Sequence, residues 1–299
     1  MNVVAIVNPL SGAGADPDVA ARRVALLKDR FAAEGFVAAV HVTERRHHAT
    51  QLARAAMSEG AALVIAWGGD GTINEVASVV AGSETALGVI PAGSGNGFAR
   101  ELGLPSDPQA ALDVILHGCD TRIDVGELAG RFFFNIAGIG VDAVIAEEFN
   151  KRAMGRRGMG PYVAIGLRQA FSYRAVRYRI VLDGDEVHSS ALLIAFANGR
   201  EYGNGIRLAP QARLDDGKLE AVIVDDRHPI ARLWGGRHLF RGTTHLAAQI
   251  TLRSIREAEI YAESAIHYHV DGETGVAPGH VSVRIHPGRL RMRVPGSPA

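Results

Sequence analysis

The chain has very little cysteine and contains no long apolar run. Its single cysteine, Cys119, cannot form a disulfide within the chain, which fits a reducing, cytoplasmic compartment. No apolar stretch approaches the roughly 20 residues that a membrane-spanning helix needs. The sequence therefore excludes a disulfide-stapled scaffold, and it predicts that any contact with a membrane is transient and made from outside.

An excess of either charge is also missing. The 32 basic residues are balanced by 32 acidic residues, and a balanced chain has no general attraction to nucleic acid. We therefore expect no nucleic-acid partner. The length of 299 residues predicts about two domains.

Strand-like and helix-like segments alternate in residues 1–121. Short apolar runs such as Val3–Val7 and Ala61–Ala66 are typical of strands buried on both faces. Residues 17–34 have the apolar spacing of a helix. This alternation predicts a doubly wound, Rossmann-like α/β domain, and residues 284–299 are candidates for a return to it.

Residues 122–283 follow a different pattern. Short runs such as Tyr178–Asp183 alternate apolar and polar residues, and Asp-Gly or Pro-Gly pairs separate them. This pattern predicts a second domain that is an antiparallel β-sandwich. We expect helical insertions at residues 142–152 and 160–173.

The first segment whose residues could bind a ligand follows the predicted strand Val3–Val7. It reads Asn8-Pro9-Leu10-Ser11-Gly12. Asparagine and serine side chains, together with glycine amides, suit contacts to phosphate or ribose. A plain strand-to-helix loop is the alternative interpretation.

The second segment, Gly68 to Asn74, reads Gly-Gly-Asp-Gly-Thr-Ile-Asn and follows another apolar strand. Its glycines would let a phosphate approach the backbone. A helix that begins near Thr72 would point free amides at that phosphate. Asp70 adds a carboxylate, and a carboxylate beside a phosphate favours metal-assisted chemistry. The segment predicts phosphoryl transfer from a nucleoside triphosphate.

The third segment, residues 91–100, has the same combination of glycines, a hydroxyl, an amide and a helix start, with Gly93, Ser94 and Asn96 before the helix. Three such loops at the carboxyl ends of successive parallel strands would converge on one crevice, where open α/β sheets bind ligands. Their joint occurrence is a stronger signal than any one loop.

The fourth segment is Asp271-Gly272-Glu273, at the end of a strand in the second half. Two carboxylates beside a glycine could supply a general base and a metal contact. A β-turn with solvated acids is the alternative interpretation.

Taken in order, the four segments resemble the diacylglycerol kinase catalytic-domain family. The likeness is greatest to its small soluble bacterial lipid kinases, which are related to sphingosine and ceramide kinases. The resemblance spans nearly the whole chain. It implies ATP-dependent transfer of the γ-phosphate to a lipid hydroxyl, with a diacylglycerol-like or sphingoid acceptor. It also implies a fold of the NAD kinase and diacylglycerol kinase type, and a role in lipid metabolism.

The resemblance also implies site residues. The implied nucleotide contacts are Asn8, Ser11, Gly12, Thr43, Gly68, Gly69, Asp70, Gly71, Thr72, Asn74, Gly93, Ser94 and Asn96. The implied catalytic group is Asp70, Asp271 and Glu273, with the base and the metal contact unassigned between the last two. Asp124 resembles a further acidic position.

A structural Mg²⁺ away from the reaction centre is implied as well. Asp216 would supply a side chain, and Arg213 and Lys218 would supply backbone carbonyls. Oxygen-only ligands of this kind suit Mg²⁺.

Two residues depart from the family pattern. Many members carry lysine or arginine where this chain has Ala13, so an arginine from elsewhere would have to replace that cation near the phosphates. Gly97 stands where bacterial diacylglycerol kinases usually have aspartate. Both departures leave the acceptor lipid open.

Other interpretations stay open at this point. An NAD kinase shares the Gly-Gly-Asp-Gly-Thr segment, and a catalytically silent nucleotide or lipid sensor would tolerate Ala13. The partner expected is a lipid at the membrane surface, and Arg152, Arg156 and Arg157 are candidates for headgroup contacts. A homodimer is also left open. His267 and His269 are expected to share a wet strand face.

Overall fold

The computed structural model describes residues 2–12, 18–151, 173–203, 206–226 and 249–296. Internal contacts divide the chain into two units. The first unit contains Met1–Ile123 and Gly288–Ala299, and the second contains Asp124–Pro287. Among the described residues, no helix has the length and apolar character needed to cross a membrane.

The first unit is an α/β domain, as predicted. Its strands and helices alternate in the order β1 (Val3–Val7), α1 (Val19–Ala33), β2 (Ala38–Val42), α2 (His48–Ser58), β3 (Leu63–Gly68), α3 (Asp70–Val80), β4 (Ala86–Pro91), α4 (Gly97–Glu101) and α5 (Pro108–His117). The strands pair in parallel in the order β4-β3-β1-β2. Every residue of β1, β3 and β4 is buried, as expected for a sheet covered on both faces.

The register of this sheet places the loop starts at one edge. Val7 lies opposite Trp67 and Val42, and Gly68 lies opposite Pro91. Backbone bonds continue the register one step further, since Asn8 donates to the carbonyl of Trp67 over 2.9 Å. The loops after these strands therefore begin side by side.

The second unit is built from antiparallel strands, which confirms the predicted β-sandwich class. Its elements are β6 (Arg131–Phe133), β7 (Ile136–Gly140), α6 (Val141–Lys151), β8 (Val176–Leu182), β9 (Asp185–Ala197), β10 (Glu201–Gly203), β11 (Ile206–Arg207), β12 (Leu219–Asp225), β13 (Ile250–Ile255), β14 (Glu257–Tyr261), β15 (Ile266–Val270) and β16 (Glu273–Ala277). Strands β5 (Cys119–Leu128) and β17 (His280–Val294) each span a boundary between the units.

The long strand β9 organises the second unit. It pairs with β8 through its first half and with β7 and β12 through its second half. β15 joins β7 to β16. Alternate side chains of these strands form one apolar cluster that includes Phe133, Phe196 and Ile260.

Two predicted Asp-Gly turns close two-residue hairpins in this unit. Asp183 and Gly184 have φ angles of 48° and 92°, and Asp271 and Gly272 have φ angles of 46° and 87°. Positive φ at both central residues is the signature of the hairpin turn whose twist matches the flanking strands. Asp271 and Gly272 therefore form a tight two-residue turn between β15 and β16, which begins at Glu273.

Three details differ from the predictions or fall outside the described residues. α3 begins at Asp70, two residues before the expected Thr72. The shared wet face expected for His267 and His269 is wrong, since His269 is only 1% exposed. Residues 160–172 of the predicted helix 160–173, Ala13 and the three arginines at 152–157 lie outside the described residues.

Candidate active site

The first loop of the α/β unit is tied to the start of α3. The Asn8 side chain donates from Nδ2 to Thr72 Oγ1 over 2.8 Å and accepts the amide of Leu10 over 3.0 Å. The amide of Gly69 donates to Ser11 Oγ over 3.2 Å. These bonds hold the loop after β1 against the loop after β3, as the sequence predicted.

The third loop is tied to the same place. The amide of Asn96 donates to Asp70 Oδ2 over 2.9 Å. The Asn96 side chain bonds both polar backbone groups of Gly93, each over 2.8 Å, and its backbone has a φ of 48°. Asp70 therefore joins α3 to the loop that precedes α4, and the three loops converge.

The glycines of these loops serve close packing between the loops. A Cβ on Gly93 would lie 2.8 Å from the Cα of Gly69. A Cβ on Gly12, which has a φ of +79°, would lie 2.2 Å from the carbonyl oxygen of Ala92. A Cβ on Gly68 would collide with the Thr72 side chain at 2.5 Å. The sequence predicts room for phosphate at Gly68 and Gly69, but the Thr72 side chain occupies the space beside Gly68, and the backbone of Gly93 in the third loop occupies the space beside Gly69.

The remaining predicted nucleotide contacts lie around the same edge. Thr43 follows β2, and its amide donates to the Val7 carbonyl over 2.9 Å. Ser94 is exposed in the third loop. Asn74 lies on α3, where its Oδ1 accepts a long 3.4 Å bond from Ser78. Gly71 lies in the first turn of α3.

Sequence reasoning missed the role of Glu75, which lies on α3 and contacts α2. Its Oε2 accepts the amide and the hydroxyl of Thr50 over 3.2 and 3.3 Å. Thr50 lies in the first turn of α2, where backbone amides lack partners within the helix. Glu75 therefore fixes α2 to α3.

In the second unit, the Asp271 carboxylate accepts hydrogen bonds from three consecutive backbone amides. Its oxygens accept the amides of Phe134, Asn135 and Ile136 over 2.8, 3.0 and 3.1 Å. The Asp271 amide in turn donates to the Ile136 carbonyl over 2.9 Å. Asp271 thus docks the 271–273 turn onto the start of β7 and holds its carboxylate in a fixed position.

The other Asp-Gly hairpin uses its aspartate in the same manner. The Asp183 carboxylate accepts the amides of Arg256 and Glu257, each over 2.9 Å. Backbone docking by an aspartate is therefore not by itself a sign of catalysis in this chain. It does make Asp183 a matched reference for Asp271.

A buried acid–base pair lies next to the 271–273 turn. His269 Nε2 is 2.7 Å from Asp142 Oδ2, and the two side chains are 2% and 8% exposed. His269 Nδ1 accepts the amide of Gly272 over 3.3 Å. A Cβ on Gly138 would lie 2.2 Å from the Asp142 carboxylate, so the pair needs a glycine there. The pair links α6, β15 and the turn.

We expect the loss of one partner of this buried pair to destabilise the protein strongly. His269→Leu should lower the free energy of unfolding by about 3–5 kcal/mol, because it removes one partner of a buried pair and leaves Asp142 behind. His267 is exposed on the same strand, and His267→Leu should change stability by no more than about 0.5 kcal/mol. Urea unfolding monitored by circular dichroism measures both. Equal effects of the two substitutions would contradict the stated role of the pair.

The loop proposed for a structural cation is held by two carboxylates. Asp124 is 2% exposed, and its Oδ2 accepts the amide of Gly217 over 2.6 Å. Asp216 Oδ1 accepts the amide of Lys218 over 3.0 Å, which uses one of its two carboxylate oxygens. The Asp124 amide donates to the carbonyl of Leu214 over 2.6 Å. Asp124 therefore holds this loop through two hydrogen bonds, one accepted by its carboxylate and one donated by its backbone amide.

Comparisons with known proteins agree over both units. Residues 2–128 match the family model of the diacylglycerol kinase catalytic domain, and residues 135–294 match that of the YegS C-terminal NAD kinase beta sandwich-like domain. A diacylglycerol kinase of Mycobacterium tuberculosis is 35% identical over 241 residues, which cover 78% of this chain and 76% of that one. A probable lipid kinase YegS-like of Cronobacter sakazakii is 32% identical, with 96% and 94% covered.

Solved structures give the same picture. A putative diacylglycerol kinase from Bacillus anthracis superposes with a TM-score of 0.79 at 25% identity, covering 98% of this chain and 97% of that one. An NAD kinase from Archaeoglobus fulgidus, solved in complex with ATP, has a TM-score of 0.55 at 12% identity, with 97% and 93% covered. The second likeness concerns the fold alone.

Proposed function

Because this chain belongs to the diacylglycerol kinase catalytic-domain family and is a lipid kinase, we propose that it transfers the γ-phosphate of ATP to a lipid hydroxyl. The acceptor class that we propose is a diacylglycerol-like or sphingoid lipid. The main support is the convergence of three loops at the start of α3, joined by the Asp70–Asn96 and Ser11–Gly69 bonds. A helix start with backbone amides and a positive dipole end suits a polyphosphate.

We assign the nucleotide to the loops of the α/β unit. Asn8, Ser11 and Gly12 would line it from the first loop, with Thr43 beside them. The turn from Gly68 to Asn74 would face its phosphates, and Gly93, Ser94 and Asn96 would complete the third side. Asp70 would keep the third loop in place through the Asn96 amide, so its carboxylate both shapes the site and adds charge to it.

Mg²⁺ would neutralise negative charge on the transferred phosphoryl group when it is bound with ATP. The residues that would hold a structural Mg²⁺ are Asp216, through its side chain, and Arg213 and Lys218, through their carbonyls. These donors are all oxygens, which fits Mg²⁺. No cluster of three or more His, Cys, Asp or Glu side chains suited to a metal occurs in the described part of the chain, so carbonyls and waters would complete such a site.

Proton removal from the acceptor hydroxyl is assigned to the 271–273 turn. Asp271 or Glu273 would accept the proton while the hydroxyl oxygen attacks the γ-phosphorus in line. The docking of Asp271 on three backbone amides would keep this carboxylate in one position. The acceptor is expected at a membrane surface, which the enzyme would contact peripherally.

The direct test is a radiolabelled-ATP assay with the full chain. The acceptors are diacylglycerol, a sphingoid base and phosphatidylglycerol in mixed micelles, with NAD as the alternative acceptor suggested by the fold likeness. We expect Mg²⁺-dependent labelling of at least one lipid, loss of labelling with EDTA, and no labelling of NAD. Labelled NAD would favour the NAD kinase interpretation, and ATP binding without any turnover would favour a silent sensor.

A further inference from the structure

One arginine outside the segments described above holds the first loop. Arg23 lies on α1, and its guanidinium donates from Nη1 to the carbonyl of Asn8 over 2.6 Å and from Nη2 to that of Ser11 over 2.8 Å. Its Cζ atom lies 5.3 Å from the ring centroid of the buried Trp67, near the end of β3. The Arg23 side chain therefore forms hydrogen bonds to both ends of the Asn8–Ser11 turn, and its guanidinium lies over the Trp67 ring of β3.

The charge of Arg23 has no nearby carboxylate in the part of the chain that the structure describes. Among the residues that the structure describes, no carboxylate lies within 4 Å of it, whereas Arg30 on the same helix pairs with Asp113. Burial lowers the pKa of Arg23 from its usual value, because a half-buried cation loses part of its hydration. A guanidinium nevertheless stays charged in proteins. An anion bound at the first loop would therefore stabilise the positive charge of the half-buried Arg23 guanidinium.

The Arg23–Ser11 bond also orients a donor. In a trans peptide unit the carbonyl and the following N–H point in opposite directions, and the described residues contain no cis peptide bond. With the Ser11 carbonyl turned to Arg23, the Gly12 amide points away from the guanidinium. Within the described residues this amide donates no hydrogen bond.

We propose that Arg23 is a positioning residue that makes nucleotide binding depend on the number of phosphates. It fixes the turn so that the Gly12 amide is presented to the polyphosphate, and its charge, which pairs with no described carboxylate, attracts that anion. The inference rests on the proposed function, because it assumes that the first loop faces ATP. Arg23 would thereby take over the role of the cation that similar kinases carry at the position of Ala13.

The test compares nucleotides by isothermal titration calorimetry on the full chain with Mg²⁺. Arg23→Gln should weaken ATP binding about tenfold, the order of magnitude for two unit charges roughly 12 Å apart at an effective dielectric constant of about 20. AMP binding should change less than ATP binding, so the ratio of the ATP and AMP affinities falls. Arg23→Lys, which keeps the charge, should preserve that ratio. Arg30→Gln removes a charge from the same helix and should change neither affinity.

A second variant separates charge from loop shape. Ala13→Lys in the Arg23→Gln background should raise the ratio of the ATP and AMP affinities again, since it returns a cation next to Gly12 in the chain. Equal weakening of ATP, ADP and AMP by Arg23→Gln would overturn the inference and leave Arg23 as a packing residue. A ratio that Ala13→Lys fails to raise would overturn the charge argument. If the unaltered protein binds no ATP, the proposed function fails first and this inference fails with it.

Discussion

Asparagine in place of Asp271 is expected to lower kcat by about a thousandfold, because the turn loses one of the two carboxylates to which we assign the base and the metal contact, and a general base contributes an effect of this size. The substitution removes the charge and the capacity to take a proton, but it keeps the size of the side chain. Asp271 also accepts three backbone amides, and the amide nitrogen of asparagine cannot replace an accepting oxygen. A loss of stability is therefore expected along with the loss of turnover, and both must be measured.

Asp183→Asn is the control for that structural loss. Asp183 has nearly the same backbone φ, precedes a glycine in the same kind of hairpin, and also accepts backbone amides through its carboxylate. We expect Asp183→Asn to lower the melting temperature without lowering kcat at a temperature where the protein remains folded. If the two aspartate variants lose turnover in parallel, the effect at 271 is structural and the catalytic assignment fails.

Glu273→Gln divides the two roles that the sequence left open. It keeps the Asp271 docking contacts and removes only the second carboxylate of the turn. If Glu273 is the metal contact, its loss should raise the Mg²⁺ concentration needed for half-maximal rate. If it is the base, kcat should fall as far as in Asp271→Asn at saturating Mg²⁺. Single-turnover rates measured across a Mg²⁺ series distinguish these outcomes.

The loops of the α/β unit could be predicted because each is short and local. A strand of about five residues, a glycine-rich turn and a helix start all lie within one stretch of sequence, and parallel pairing brings the carboxyl ends of strands to one edge. The contacts of Asn8 with Thr72 and of Asn96 with Asp70 follow from that rule. Convergence of these loops could be predicted without knowing which side chains contact one another.

Contacts of long sequence separation could not be predicted in this way. His269 meets Asp142 across 127 positions, and Asp271 meets Phe134 across 137. The alternation around His269 indicated an exposed face, because that pattern assumes that one face of a strand meets water. In β15 four of the five residues are buried, since α6 contributes Asp142 to cover the second face.

The glycines show a related limit. A sequence reveals that a position has no Cβ, but it does not reveal which neighbour occupies the space. At Gly69 and Gly93 that neighbour is the other loop, so the two positions depend on each other although 24 residues separate them in the numbering. Without a Cβ at either position the two loops come into contact, and the proposed phosphate contacts depend on that packing.

Gly93→Ala should therefore reduce kcat/KM for ATP by about a hundredfold, the cost that a misplacement of roughly 1 Å can impose on a reaction. The added Cβ would lie 2.8 Å from the Cα of Gly69 and 2.8 Å from Asn96 Oδ1. The first of these is a backbone atom that cannot rotate away, so the third loop must shift from α3 and weaken the Asn96–Asp70 bond. The measurement is steady-state kinetics with varied ATP at saturating lipid.

Gly60→Ala is the matched control in the same unit. Gly60 has a φ of +71° with nothing within 4 Å of an added Cβ, so alanine there costs about 1 kcal/mol of backbone strain without displacing a loop. We expect lower stability and an unchanged KM for ATP. Gly69→Ala should lie between the two, because its Cβ would approach Gly93 Cα only to 3.2 Å. If the order of effects follows the backbone strain rather than these distances, loop packing does not control the proposed nucleotide site.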